Sequence, residues 1–218
     1  MHVCIIFHIA YPANSSTAVN EYTRHLARNG INVSLIAGRE ESNTPSHEVL
    51  NGVDVSRIKT NLSTSVSPEP TRFGFRALKL LENEIGVDSV DVLQLRSFPN
   101  LGLIISPLPW KPSPFAVVSD VRGTAVSNPF FEKISRWGIR FQDYFVDETT
   151  VIDEHVRREI FPDRDETPIV PIGVDFERFS PNGPAVNFTR FGIENEDIVL
   201  GYTGNLHGSR ELERLIRA

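Results

Sequence analysis

Short apolar runs and amphipathic stretches alternate along this chain. Val3–Ile9 (VCIIFHI) is an almost unbroken apolar run, the pattern of a strand buried on both faces of a parallel sheet. From Thr17 to Asn29 the positions Val19, Tyr22 and Leu26 recur at helical spacing, and Gly30 follows as a natural C-cap. INVSLIAG is the next apolar strand, so a βαβ unit is predicted at the N-terminus. In EVLNGVDVSRI, Asn51-Gly52 separates two alternating runs, the sequence of a tight hairpin. NLSTSVSPEPT predicts a loop, Phe73–Ile85 an amphipathic helix, VDVLQLR a strand, and the residues after Pro99 a short helical segment. PLPWKPSP is too rich in proline for regular structure, and FAVVSD is a further strand. A helix is predicted from Pro129 with Asn128 as its cap. Its stripe of Phe130, Ile134, Trp137, Phe141 and Tyr144 is expected to face the core. TTVI, EHVRREIF and PIVPI then read as strand, helix and strand.

Strands alternating with helices in this way predict an α/β fold, a doubly wound parallel (Rossmann-like) sheet. Ligands on such sheets lie at the carboxyl ends of the strands, near the point where strand order reverses. The loops Tyr11–Thr17, Arg96–Asn100 and Asp120–Asn128 are therefore the candidate site, with the first and last expected on one edge of the sheet.

Composition narrows the functional classes. The chain has 218 residues, 40% hydrophobic and 23% charged, as in a globular chain with a sizeable core. A net charge of −6 without a basic run argues against a nucleic-acid partner. The single cysteine, Cys4, lies in an apolar strand and is expected to be buried and unreactive. No Cys/His group has metal-ligand spacing, so no metal is expected. The first residues lack a basic head and a small-residue cleavage site, and no run is long enough to span a bilayer, which predicts a cytoplasmic protein. The first loop, AYPANSSTA, has no glycine, which argues against a dinucleotide-binding oxidoreductase.

The segment IVPIGVDFERFSP ends the last strand with Gly173, Asp175, Phe179 and Pro181. Gly173 can take a positive φ, Asp175 can accept from a following backbone amide, Phe179 can anchor the chain, and Pro181 stops a helix. This segment resembles the link between the two lobes of family 4 glycosyltransferases. YPANSSTAVNEYTRHLARNGINVSLIAG is similar to that family's first loop and helix, and NGVDVSRI to its early hairpin. VDVLQLRS, VVSDVRGT and DETTVIDEHVRREI are similar to its later strands and helix, and DIVLGYTGNLHGSRELERLIRA to the start of its second lobe.

The resemblance implies a GT-B fold, with residues 1–181 as the N-terminal, acceptor-side lobe and 182–218 as linker and beginning of the nucleotide-sugar lobe. It implies retaining, hexosyltransferase-like transfer from a nucleotide sugar to a glycan or lipid-linked acceptor, without a cofactor or metal. His8, Arg96, Asn100, Asp120 and Arg122 fall on the acceptor-side cleft; Thr17, Ala18, Gly204, Asn205 and Arg210 fall on the loops that hold the donor phosphates. Thr17-Ala18 stand where the family often has two glycines, and Asn205 where many members have arginine, whereas Arg210 keeps a positive charge. The family's paired glutamates come later in the second lobe than Ala218. The chain is thus expected to be an acceptor-binding half that is inactive alone, with a second subunit as one source of the rest. Contact with the cytoplasmic face of a membrane stays open, and a non-catalytic module that binds carbohydrate or a partner chain is the alternative on the same fold.

Overall fold

The computed structural model describes residues 1–12, 17–39, 43–59, 69–96, 115–123 and 129–176, and beyond them 179–180, 182–183, 188–194, 197–199 and 201–202. Seven strands form one sheet: β1 (His2–Ala10), β2 (Asn32–Arg39), β3 (His47–Leu50), β4 (Val53–Lys59), β5 (Val92–Arg96), β6 (Ala116–Val121) and β7 (Glu148–Val151). Among the described residues four α-helices accompany them: α1 (Thr17–Arg28), α2 (Glu69–Leu80), α3 (Pro129–Asp143) and α4 (Glu154–Ile160). The strand order is β3-β4-β2-β1-β5-β6-β7, and only β3 runs antiparallel to its neighbour. The predicted doubly wound α/β sheet is thus formed, with an antiparallel strand added at one edge.

Local chemistry explains the elements. β1 is central, and both of its faces are covered. Ile5 and Phe7 pack with Val19, Leu35 and Val55 on the α1 side. Cys4 and Ile6 pack with Phe73, Leu81, Leu93 and Val117 on the α2 side. Burying each such aliphatic side chain contributes about 1.5–3 kcal/mol. α1 ends where Gly30, at φ 77°, lets its amide reach Ala27 O and the Ile31 amide reach Leu26 O, a Schellman pair. Asn51 and Gly52, at φ 53° and 81°, form the two-residue turn of the β3–β4 hairpin.

Several expectations are corrected. α2 begins at Glu69, inside the predicted loop, because Pro70 is tolerated in a helix's first turn. The helix changes to a π-helical turn over Leu81–Ile85, closed by Gly86. PIVPI makes no strand but one parallel bridge, Val151 to Ile169, since Pro168 and Pro171 lack the amides that a ladder needs. Gly173 is not among the positive-φ glycines and has open space around its α-carbon, so the exit from this segment needs no left-handed turn. The α3 stripe does not face the core: Ile134 is 50%, Trp137 64% and Tyr144 77% exposed. The face turned to the sheet carries Ile139, beside Val121 and Val151, and Gln142, which donates to Ser119 Oγ. Trp137 instead stacks on Phe141 at the surface, with ring centroids 5.3 Å apart.

Two compact units divide the chain after Asp175. In the second, the regular element among the described residues is a single 3-10 turn, Thr189–Phe191, closed by Gly192 at φ 74°. At the described positions of DIVLGYT, 197–199 and 201–202, no strand is formed, and Ile198 is 92% exposed.

Candidate functional site

Strand order reverses at β1: β2 lies on one side of it and β5 on the other. The carboxyl ends of β1, β5, β6 and β7 therefore share one edge. Parallel register aligns Phe7, Arg96, Asp120 and Thr150 in one row across this edge. Two residues earlier runs the row Ile5, Gln94, Val118 and Glu148. Because side chains alternate along a strand, both rows project to the face on which α1 lies. Tyr22 of α1 closes one side, with the Arg96 guanidinium 5.7 Å from the centre of its ring. Beyond Tyr22, Val118 and Thr150 are only half-buried.

Asp120 organises this edge. It is buried to 1% exposure between two arginines, with Arg122 Nε 2.8 Å from Oδ1 and Arg96 Nε 3.6 Å from Oδ2. Thr150 Oγ1 donates to Asp120 Oδ1 at 3.3 Å. The Asp120 oxygens are thus held by two guanidinium groups and a hydroxyl, which fixes both arginines beside it. Arg122 Nη1 also donates to Val170 O at 2.9 Å, tying the end of β6 to the proline-bracketed segment. Burial pulls the Arg96 guanidinium below its ordinary value, with Asp120 opposing that shift. Burial likewise pushes the Tyr22 phenol up, and the Asp120 charge adds to it.

His8 lies one residue past Phe7 in β1, and burial lowers its pKa to about 4, so its imidazole is neutral. At this point β1 leaves its regular register with β2. A side chain on Gly38 would come within 2.7 Å of His8 O, so glycine there is a requirement of the close backbone approach. The adjacent Tyr11–Pro12 turn is held from below by Arg57, whose buried guanidinium donates to Tyr11 O and Pro45 O and pairs with Glu48.

The sequence placed Arg96, Asp120 and Arg122 on a cleft, and the structure brings these three together, with His8 on the neighbouring strand. Tyr22, Gln94, Thr150 and Arg57 were not anticipated. Gln94 and Arg96 are polar residues two apart inside an apolar strand, which is the one signal that both point to the same face. Thr17 and Ala18 open α1. Asn100, Gly204, Asn205 and Arg210 lie outside the described residues, as do the Asn128 cap, the helical segment after Pro99 and PLPWKPSP.

Among the described residues one group has ligand atoms close enough to hold a metal ion: Glu21, His25 and Asp175, all within 4.8 Å of one another. Arg24 already bonds to both carboxylates, at 2.6 Å from Asp175 Oδ2, and supplies the positive charge that an ion would bring. The Cys4 thiol is fully buried, and burial pushes its pKa up to about 12. No helix among the described residues is long and apolar enough to cross a membrane.

No family model and no curated protein matches the sequence. Solved structures do match. The intact sucrose-phosphate synthase from Thermosynechococcus elongatus superposes with a TM-score of 0.65 at 12% identity over 90% of this chain and 54% of that one. A chain made from segments of the same enzyme gives a TM-score of 0.57 at 11% identity over 82% of this chain and 92% of that one. At this identity the likeness is one of fold. The chain has the α/β fold of GT-B glycosyltransferases, and it spans about half the length of the intact neighbour.

Proposed function

We propose that the protein serves glycosyl transfer of the family 4 type, with the first 181 residues holding a glycan or lipid-linked acceptor and a nucleotide sugar as donor. The observation that carries this reading is the Phe7–Arg96–Asp120–Thr150 row at the carboxyl edge, beside the reversal of strand order, on a sheet shared with GT-B enzymes. In this reading Asp120 fixes the two guanidinium groups, whose remaining N–H groups face the acceptor. His8, its imidazole neutral, brings no charge to this edge. The N-terminus of α1, at Thr17 and Ala18, offers backbone amides to the donor phosphates. Transfer then needs charge stabilisation of the departing nucleoside diphosphate without a metal, a role to which this reading has that terminus contribute.

The test is direct binding by the full chain. Glycans on an array, lipid-linked sugars and nucleotide sugars are titrated against wild type and Asp120→Ala. Saturable glycan or lipid-linked binding is expected, weakened at least about tenfold in the variant because both arginines lose their anchor. Absence of binding to every sugar class, or binding indifferent to Asp120→Ala, would refute the proposal.

A further inference from the structure

We infer that the ligand held at the carboxyl ends of β5 and β6 is an anionic sugar, a uronate or a sugar phosphate, whose acidic group bonds to Arg96. This deepens the acceptor reading above and rests on it. The first ground is charge. Among the described residues Arg96 and Arg122 share the single carboxylate of Asp120, which leaves one positive charge in excess there, and Arg96 is only 4% exposed. The facing π-electrons of Tyr22 give it partial compensation. A buried guanidinium without a full counter-charge is costly, and an anion removes that cost.

The second ground is unfilled hydrogen bonding. Among the described residues Arg96 Nη1 is buried and has no hydrogen-bond partner. Gln94 Oε1, two residues earlier on the same face of β5, is likewise buried and unpartnered. One needs an acceptor and the other a donor. An anion without O–H groups satisfies only the first, whereas a sugar that carries an acidic group brings oxyanions for Arg96 and several hydroxyls spaced to reach Gln94. The open side, where Val118 and Thr150 are half-buried and the Arg122 side chain is 14% exposed, gives such a ligand a way in.

The experiment titrates the full chain calorimetrically with glucose, glucuronate, glucose 6-phosphate and inorganic phosphate at constant ionic strength. The same titrations are run on Arg96→Gln and on Arg136→Gln, a surface arginine paired with Glu132 and Glu159. At least one anionic sugar is expected to bind about tenfold or more tighter than glucose. That preference should vanish in Arg96→Gln and persist in Arg136→Gln. The arm that wins tells carboxylate from phosphate. Where circular dichroism shows Arg96→Gln unfolded, Arg122→Gln serves in its place. Equal binding of glucose and the anionic sugars overturns the inference and leaves the acceptor reading standing. Inorganic phosphate binding as tightly as glucose 6-phosphate also overturns it, since the sugar would then contribute nothing. Failure of all three sugars to bind also overturns this inference, while the acceptor reading is decided by the glycan and lipid-linked titrations above.

Discussion

Burial pulls the His8 imidazole down to about 4, whereas in an unfolded chain it titrates near 6.5. Between those values the unfolded state binds a proton that the folded state refuses, so stability is full above pH 6.5 and falls as pH drops toward 4. The gap corresponds to at most roughly 3 kcal/mol. Urea unfolding at about pH 7.5 and about pH 4.5 should show this loss, and His8→Gln should flatten it. An unchanged acid loss in His8→Gln would assign the effect to other groups. The Cys4 thiol, pushed up to about 12, should resist iodoacetamide until the protein is denatured. At this scale the sequence was informative wherever a charged or polar residue interrupts an apolar run. Arg96 and Asp120 stand out for that reason. Tyr22 did not, because a tyrosine on the apolar face of a helix looks like any other core residue until its neighbour across the sheet is known.

The elements were legible where one force dominates. β1, β2, β5 and β6 are apolar runs bounded by turn residues, and the hairpin follows from Asn51-Gly52. α3 was legible as a helix but not in its rotation. It has two apolar flanks, one with Ile139 and the other with Trp137 and Phe141, and the larger flank is at the surface. Hydrophobicity alone chose the wrong one, because the sheet beneath offers Ser119 as a partner for Gln142, which fixes the phase. Ile139→Ala should therefore cost about 2–4 kcal/mol in chemical denaturation. Trp137→Ala should cost no more than about 1.5 kcal/mol, the worth of its stacking on Phe141. The reverse order of the two losses would show that the stripe is packed after all. PIVPI failed as a strand for a related reason: apolar composition was right, but two prolines remove the donors.

At the scale of the molecule, backbone pairing separates the two units. The Ile5 amide belongs to a central strand with neighbours on both sides, while 197–199 belongs to no strand. Hydrogen exchange at Val199 should be faster than at Ile5 by several orders of magnitude. Equal protection would require a strand at 197–199 that is absent here. The two outer strands carry a different consequence. A sheet edge with free amides and carbonyls is a template for chain-to-chain growth. β3, at one edge, is four residues long and starts with an exposed histidine. β7, at the other, has its edge taken by Val151 N–H to Pro168 O at 2.9 Å and Val170 N–H to Val151 O at 2.8 Å. Outward from that bridge only Ile169 could extend the ladder, because prolines stand at 168 and 171. The segment that failed to become an eighth strand is thus a terminator. It closes the sheet against fibril-like stacking of copies, and replacing both prolines with valine would reopen that edge to aggregation.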